Sequence, residues 1–166
     1  MTQNLIIAIQ YIDNEKVLHE IVKTLLEAGA DIEAKSDNES TPLIWASYCA
    51  RGEVVKTLLG AGADIEAKDN HEWTSLIYAS HRAHRDIVKT LLEAGANIEA
   101  KSDDGSTPLL YASHRGHKEI VKTLIEAGAN IEAKSDNGWT PLNWASHCGH
   151  KEVVKTLLEA GAKQQK

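Results

Sequence analysis

A block of thirty-three residues recurs four times in phase along this chain. The recurring stretch within it reads TPLIWASYCARGEVVKTLLGAGADIEAK from Thr41, TSLIYASHRAHRDIVKTLLEAGANIEAK from Thr74, TPLLYASHRGHKEIVKTLIEAGANIEAK from Thr107 and TPLNWASHCGHKEVVKTLLEAGA from Thr140. Self-similarity at that period makes each block one supersecondary unit, which cannot bury its apolar face alone and must stack on its neighbours. The 166 residues would fill one or two ordinary domains, but a stack needs no single central core. What it offers instead of an enclosed reaction chamber is a long face on which the same register positions recur.

Local signals say how one unit folds. Thr41, Thr107 and Thr140 each precede a proline, which places a hydroxyl at the N-cap and a ring at the first helical position, where the missing N–H costs nothing. A short first helix follows, through Leu43 and Ala46, ending near Ala50-Arg51-Gly52, Gly116-His117 or Gly149-His150. The second helix opens with an acid (Glu53, Asp86, Glu119, Glu152), the sign that the helix dipole favours. Val54, Val55, Leu58 and Leu59 make its apolar stripe, and Gly62, Gly95, Gly128 and Gly161 stand where a left-handed residue ends it. Alternating Ile65 and Ala67 between Asp64 and Asp69 predict an extended arm, closed by turn residues such as Asp103-Asp104-Gly105 and Asp136-Asn137-Gly138.

Residues 1–34 lack the Thr-Pro-Leu start but contain EIVKTLLEAGADIEAK from Glu20. They read as a degenerate N-terminal capping unit, with helices over about residues 4–12 and 15–28 and a turn at Asp13-Asn14. The chain is then one domain of five units: 1–34, 35–68, 69–101, 102–134 and 135–166.

A formal charge of −6 and a pI near 5.7 argue against sequence-independent binding to nucleic acid. The N-terminal MTQNLIIAIQYIDNEK has neither the basic start of a signal peptide nor the apolar length of a membrane span. Cys49 and Cys148 share one register of the first and fourth full repeats, too far apart in a stack for a disulfide. A reducing compartment, cytoplasmic or nuclear, is therefore expected. No G-x-S-x-G, Walker A loop or H-E-x-x-H occurs. Neither an enzyme nor a cofactor is expected.

The chain resembles the ankyrin-repeat family over nearly its whole length. The resemblance is carried by Asp136-Asn137-Gly138, by Thr140, Pro141 and Leu142, by Gly149-His150, by the helix from Val153 to Leu158 and by Gly161-Ala162. It implies an all-α solenoid of helix-turn-helix units with short β-hairpin or turn arms, binding proteins through arm tips and first helices. The chain also departs from the family pattern. The position after Thr-Pro-Leu, usually histidine, holds Ile44, Ile77, Leu110 and Asn143, and Ser75 replaces a proline. Glu39 and Glu72 replace the turn glycine, which costs on the order of 1 kcal/mol each if that residue needs φ > 0.

Comparing the repeats with one another separates scaffold from surface. Leu43, Ala46, Val55, Leu58, Gly62 and their counterparts hardly vary, as stacking requires. Variation gathers at the arm tips, at Asn38, His71, Asp104 and Asn137, and just before the N-cap, at Ser40, Trp73, Ser106 and Trp139. It gathers again at the end of the first helix, at Tyr48, His81, His114 and His147 and then Cys49, Arg82, Arg115 and Cys148. By the resemblance these positions touch a partner protein or peptide, with drift at exposed sites as the alternative. Trp73 and Trp139 are candidate anchors, since tryptophan is enriched at binding hot spots, unless each ring packs back on its own hairpin. Trp45, Tyr78, Tyr111 and Trp144, next to the helix alanines, read as packing between repeats.

Three further patterns carry alternatives. His81/His84, His114/His117 and His147/His150 are each three apart, and stacked imidazoles could hold zinc. No Cys or carboxylate recurs beside them to complete a tetrahedral shell, so no metal site is assigned. Lys35, Lys68, Lys101 and Lys134 each follow a glutamate by two residues and read as a mixed solvated face, or as a site for an acidic peptide. Lys23, Lys56, Lys89, Lys122 and Lys155 match an i,i+4 Lys/Glu surface with Glu27, Glu93, Glu126 and Glu159. The near-identity of the repeats also fits an engineered or consensus-like scaffold with no native partner, although Glu39, Glu72 and Ser75 read as drift. The last unit keeps Val153, Val154, Leu157 and Leu158 up to Ala162-Lys163-Gln164-Gln165-Lys166. That predicts an apolar flank that frays, meets another copy end to end, or continues into a longer array.

Overall fold

The computed structural model describes residues 4–163; residues 1–3 and 164–166, the outer ends of the first and last units, lie outside the described residues. Ten helices and no strand occur among the described residues: α1 (Asn4–Tyr11), α2 (Glu15–Glu27), α3 (Pro42–Tyr48), α4 (Gly52–Gly60), α5 (Ser75–His81), α6 (Arg85–Glu93), α7 (Pro108–Arg115), α8 (Lys118–Glu126), α9 (Pro141–His147) and α10 (Lys151–Glu159). They form the all-α repeat solenoid expected.

Each first helix starts because its threonine caps it. Thr41, Thr74, Thr107 and Thr140 are extended, and their Oγ1 atoms accept the amides of Ile44, Ile77, Leu110 and Asn143 at 3.4, 3.4, 3.4 and 3.2 Å. Ile44, Ile77 and Leu110 are fully buried, so apolar packing occupies the place of the histidine network in three repeats. In the fourth, Asn143 Oδ1 accepts the Thr140 amide at 3.0 Å and completes a capping box.

First helices α1, α3, α5, α7 and α9 stack in one layer, second helices in another. The apolar stripe of each second helix has two sides. Val54, Ile87, Ile120 and Val153 are buried while Ile21 at the N-terminal end is partly exposed; Val55, Val88 and Val121 are buried while Val154 at the C-terminal end is partly exposed. The first side of the stripe therefore meets the preceding unit and the second side the following one. Full burial of a leucine such as Leu58 or Leu91 contributes about 1.5–3 kcal/mol, which makes these flanks the main stabilising contact.

The arms correct one expectation. Instead of running extended through Asp64–Asp69, the arm turns: Ala67 N donates to Asp64 O at 3.2 Å, and Asp64 Oδ1 accepts the Glu66 amide at 2.9 Å. An acid or amide at that register repeats the side-chain turn at Asp31, Asn97 and Asn130. The tips close as tight turns, with Ser36 N to Ser40 O at 3.1 Å and Glu39 N to Ser36 O at 2.9 Å. Glu39 and Glu72 do adopt positive φ, 64° and 59°, as do Ala50 and Ala83 in the helix–helix turns at 61° and 62°.

The arm lysines and glutamates are also rearranged. Glu33, Glu66, Glu99 and Glu132 accept the amides of Asp64, Asn97, Asn130 and Lys163 in the following unit at 2.7–2.8 Å, tying neighbouring units together. Lys35 and Lys68 instead reach Glu39 and Glu72, each at 2.7 Å, and the hydrogen bond that Lys35 donates to Glu39 raises the Lys35 pKa. On the second helices only Lys155–Glu159 realises the i,i+4 pattern among the described residues, at 3.9 Å; Lys56 and Lys23 turn back to Glu53 and Glu20.

Candidate functional site

Arm tips and first helices share one face, and most of the varied positions lie on it. Trp73 is half-buried rather than projecting: its ring centre lies 4.8 Å from Tyr78 and 5.1 Å from His81 in its own repeat, and 4.5 Å from Tyr111 in the next. Trp139 repeats this against Trp144 at 4.5 Å and His147 at 5.0 Å. Both indoles lean on first helices, not on their own hairpins. Trp45, Tyr48 and Tyr78 continue the row with successive centroid distances of 5.6 Å, and Arg82 lays its guanidinium 3.9 Å above the Tyr48 ring.

Trp45, Tyr78 and Tyr111 pack between repeats as their register suggested, but they are also half-exposed on this face. Their polar atoms reach back to the arm: Trp45 Nε1 donates to Ser36 Oγ at 3.3 Å, Tyr78 OH to Asp69 Oδ2 at 2.6 Å and Tyr111 OH to Ser102 Oγ at 3.1 Å. The chain contains no phenylalanine, and every ring at this register carries a donor. That was the available signal that these rings border solvent.

Ser40 and Ser106 present little surface of their own: both are buried, at 2% and 5% exposure, and the carbonyl of each closes its arm turn. Asn38, Asp104 and Asn137 stay at the tips, with Oδ1 atoms bracing Ser36, Ser102 and Ser135 from within. His71 is exposed, with Nδ1 3.6 Å from Asp103 Oδ2. Arg82, Arg115 and His147 are exposed and His114 is half-buried. Among the described residues neither Arg82 nor Arg115 is in an ion pair.

The electrostatics of the face follow from this packing. Burial, with Arg115 and Arg82 adding repulsion, lowers the His81 pKa to about 4, and burial lowers those of His114 and His117. Burial pushes the Tyr111 hydroxyl up to about 12 and the Tyr78 hydroxyl further. Burial alone would raise the Asp104 carboxyl, but hydrogen bonds from Ser102, Ser106 and Tyr111 hold it below its ordinary value. At pH 7 His81 and His114 are thus neutral imidazoles and Tyr78 and Tyr111 neutral phenols, beside the Arg82 and Arg115 guanidinium groups.

The paired histidines do not face each other. His84, His117 and His150 direct Nε2 at the carbonyl oxygens of Tyr48, His81 and His114 in the preceding repeat, at 3.1, 2.9 and 2.9 Å. Among the described residues no group of three or more His, Cys, Asp or Glu is placed to hold a metal ion, and no helix is long and apolar enough to cross a membrane. Cys49 and Cys148 are free.

A family model described as ankyrin repeats (3 copies) matches residues 5–102 and again residues 97–166. No curated protein matches the chain. Ankyrin repeats are generally protein-interaction modules. With stacked helix pairs, threonine-capped first helices and a family match running from residue 5 to residue 166, this chain belongs to the ankyrin-repeat family.

Proposed function

We propose that the chain is a non-catalytic interaction module that binds a partner protein or peptide through the face of its arm tips and first helices. The observation that supports this most is the row of half-exposed rings from Trp45 through Tyr48, Tyr78 and Trp73 to Tyr111, flanked by the exposed Arg82 and Arg115. Rigid aromatic groups with a polar edge, beside arginine, are the usual composition of binding hot spots. Asn38, Tyr48, His71, Trp73, His81, Arg82, Asp104, His114, Arg115, Asn137, Trp139 and His147 make up this surface.

The test is affinity capture with Arg82→Ala/Arg115→Ala/His147→Ala set against Lys89→Ala/Lys122→Ala on the second helices. The first set should lose bound protein that the second retains. Equal recovery by both would remove the assignment.

The same reading includes end-to-end contact between copies. Val154 and Leu158, the latter 36% exposed, border a shallow groove on the last unit, and Ile21 and Leu25 border an apolar groove on the first. These are the two complementary sides of the stripe by which internal units stack, so a second copy can continue the same packing.

A further inference from the structure

We propose that Trp45, Tyr48 and Tyr78 form an open slot that receives an aromatic side chain of a partner polypeptide, one bearing a carboxylate beside that ring. The proposal rests on the interaction-module reading above and names the chemistry of the partner.

The molecule itself shows what the slot accepts. The Trp73 ring is held by the residues five, eight and thirty-eight positions on, Tyr78, His81 and Tyr111, and its two outer walls, His81 and Tyr111, stand 5.9 Å apart. The same offsets counted from Ser40 give Trp45, Tyr48 and Tyr78, with outer walls Tyr48 and Tyr78 5.6 Å apart. Tyr48 and Tyr78 are therefore spaced much as the matching pair around Trp73 is, while Trp45 touches Tyr48 edge to face at 5.6 Å, and serine supplies no ring. A cavity of about 220 Å³ lies there, with Asn38, Ser40 and Ile44 completing its lining. The third repeat shows the alternative. Ser106 also lacks a ring, and the equivalent walls His114 and Trp144 have closed to 4.7 Å.

Charge selects among aromatic partners. Tyr48, one wall of the slot, carries the exposed Arg82 guanidinium on its face, and no carboxylate among the described residues pairs with that cation. The exposed carboxylate of Asp37 lines the adjoining groove along α1 rather than the slot. Arg82 does not line the cavity itself, but a carboxylate carried beside an inserted ring and reaching past the Tyr48 wall meets this cation, a contact that favours it by a few tenths to about 1 kcal/mol, or roughly two- to fivefold in affinity.

N-acetyl-tryptophan joins an indole and a carboxylate in one small probe, and N-acetyl-tryptophanamide is its uncharged control. Titrated into isotopically labelled protein, the acid should give saturable chemical-shift changes at Ser40, Tyr48 and Tyr78. The amide should bind roughly two- to fivefold more weakly. Ser40→Trp, which places in this repeat the residue already present at 73 and 139, should fill the slot and abolish those shifts. Arg82→Gln, an exposed change, should reduce acid binding to the level of the amide. Equal shifts in Ser40→Trp, equal binding of acid and amide, or no saturable shift at these residues would each overturn the proposal. The two readings also fail separately. Capture of protein that Arg115→Ala/His147→Ala loses but Ser40→Trp keeps would overturn the slot alone, whereas equal capture by every variant would overturn the interaction face.

Discussion

His117 Nε2 donates to the carbonyl oxygen of His81 at 2.9 Å, across 36 residues of chain. Because a carbonyl only accepts, the bond fixes the proton on Nε2 and commits that nitrogen to the joint between two repeats. His150 makes the same bond to His114, and His84 makes it to Tyr48. The residues that looked most like metal ligands are thus clasps between units.

Replacing His117 by alanine leaves the His81 carbonyl unpaired in a half-buried joint, so stability should fall by about 1–3 kcal/mol. Urea unfolding with an unchanged slope measures this. A loss under about 0.5 kcal/mol would mean that water replaces the ring.

The left-handed turn positions should respond in opposite directions. Ala50→Gly and Ala83→Gly relieve a positive φ at the register where Gly116 and Gly149 stand, and should each stabilise by about 0.5–1 kcal/mol. Glu39→Gly relieves similar strain but loses an exposed ion pair with Lys35 worth up to about 0.5 kcal/mol, so its gain should be smaller. Conversely, Gly116→Ala should cost more than Gly149→Ala. A Cβ at 116 would sit 2.6 Å from His150 Nδ1, whereas one at 149 meets nothing within 4 Å. Thermal midpoints of the single variants decide the order.

Acid should loosen the array through His81. Its folded pKa, about 4, lies below the unfolded value of 6.5, so between those values the unfolded chain binds more protons and stability falls as pH falls. Above pH 6.5 the contribution is constant. His81→Tyr, which copies the residue at this register in the first full repeat, should flatten the dependence of the thermal midpoint on pH between 4 and 6.5. An unchanged slope would assign the effect to His114 and His117, which shift in the same direction.

End-to-end contact should depend on concentration and on the exposed flank. Sedimentation of wild type at rising concentration should show growing species, and Leu158→Glu should suppress them while leaving the helical signal intact. A monomer at every concentration would exclude this contact.

How much could be read in advance depends on the range of the interaction. Thr41, Thr74, Thr107 and Thr140 start helices through bonds to residues three places on, and such contacts are legible in any one repeat. The mistaken extended arm at Ile65 and Ala67 arose because a two-residue alternation looks like a strand until the Asp64 carboxylate bends the chain. Ser40 and Ser106 vary between repeats as surface positions do, yet both are buried, because exposure at a turn is set by what packs around it and not by the residue itself.

Phase and composition alone determined the repeat, its two helices, the stacked flanks and the family, since a thirty-three-residue period leaves no other way to bury each apolar stripe. Tertiary structure decided the rest: which imidazole bonds to the preceding repeat, which indole leans on its neighbour, and that Tyr48 and Tyr78 stand 5.6 Å apart where the matching His114 and Trp144 stand 4.7 Å apart. Those outcomes depend on groups thirty or more residues apart meeting within a few ångströms, and the meeting is set by how the units stack.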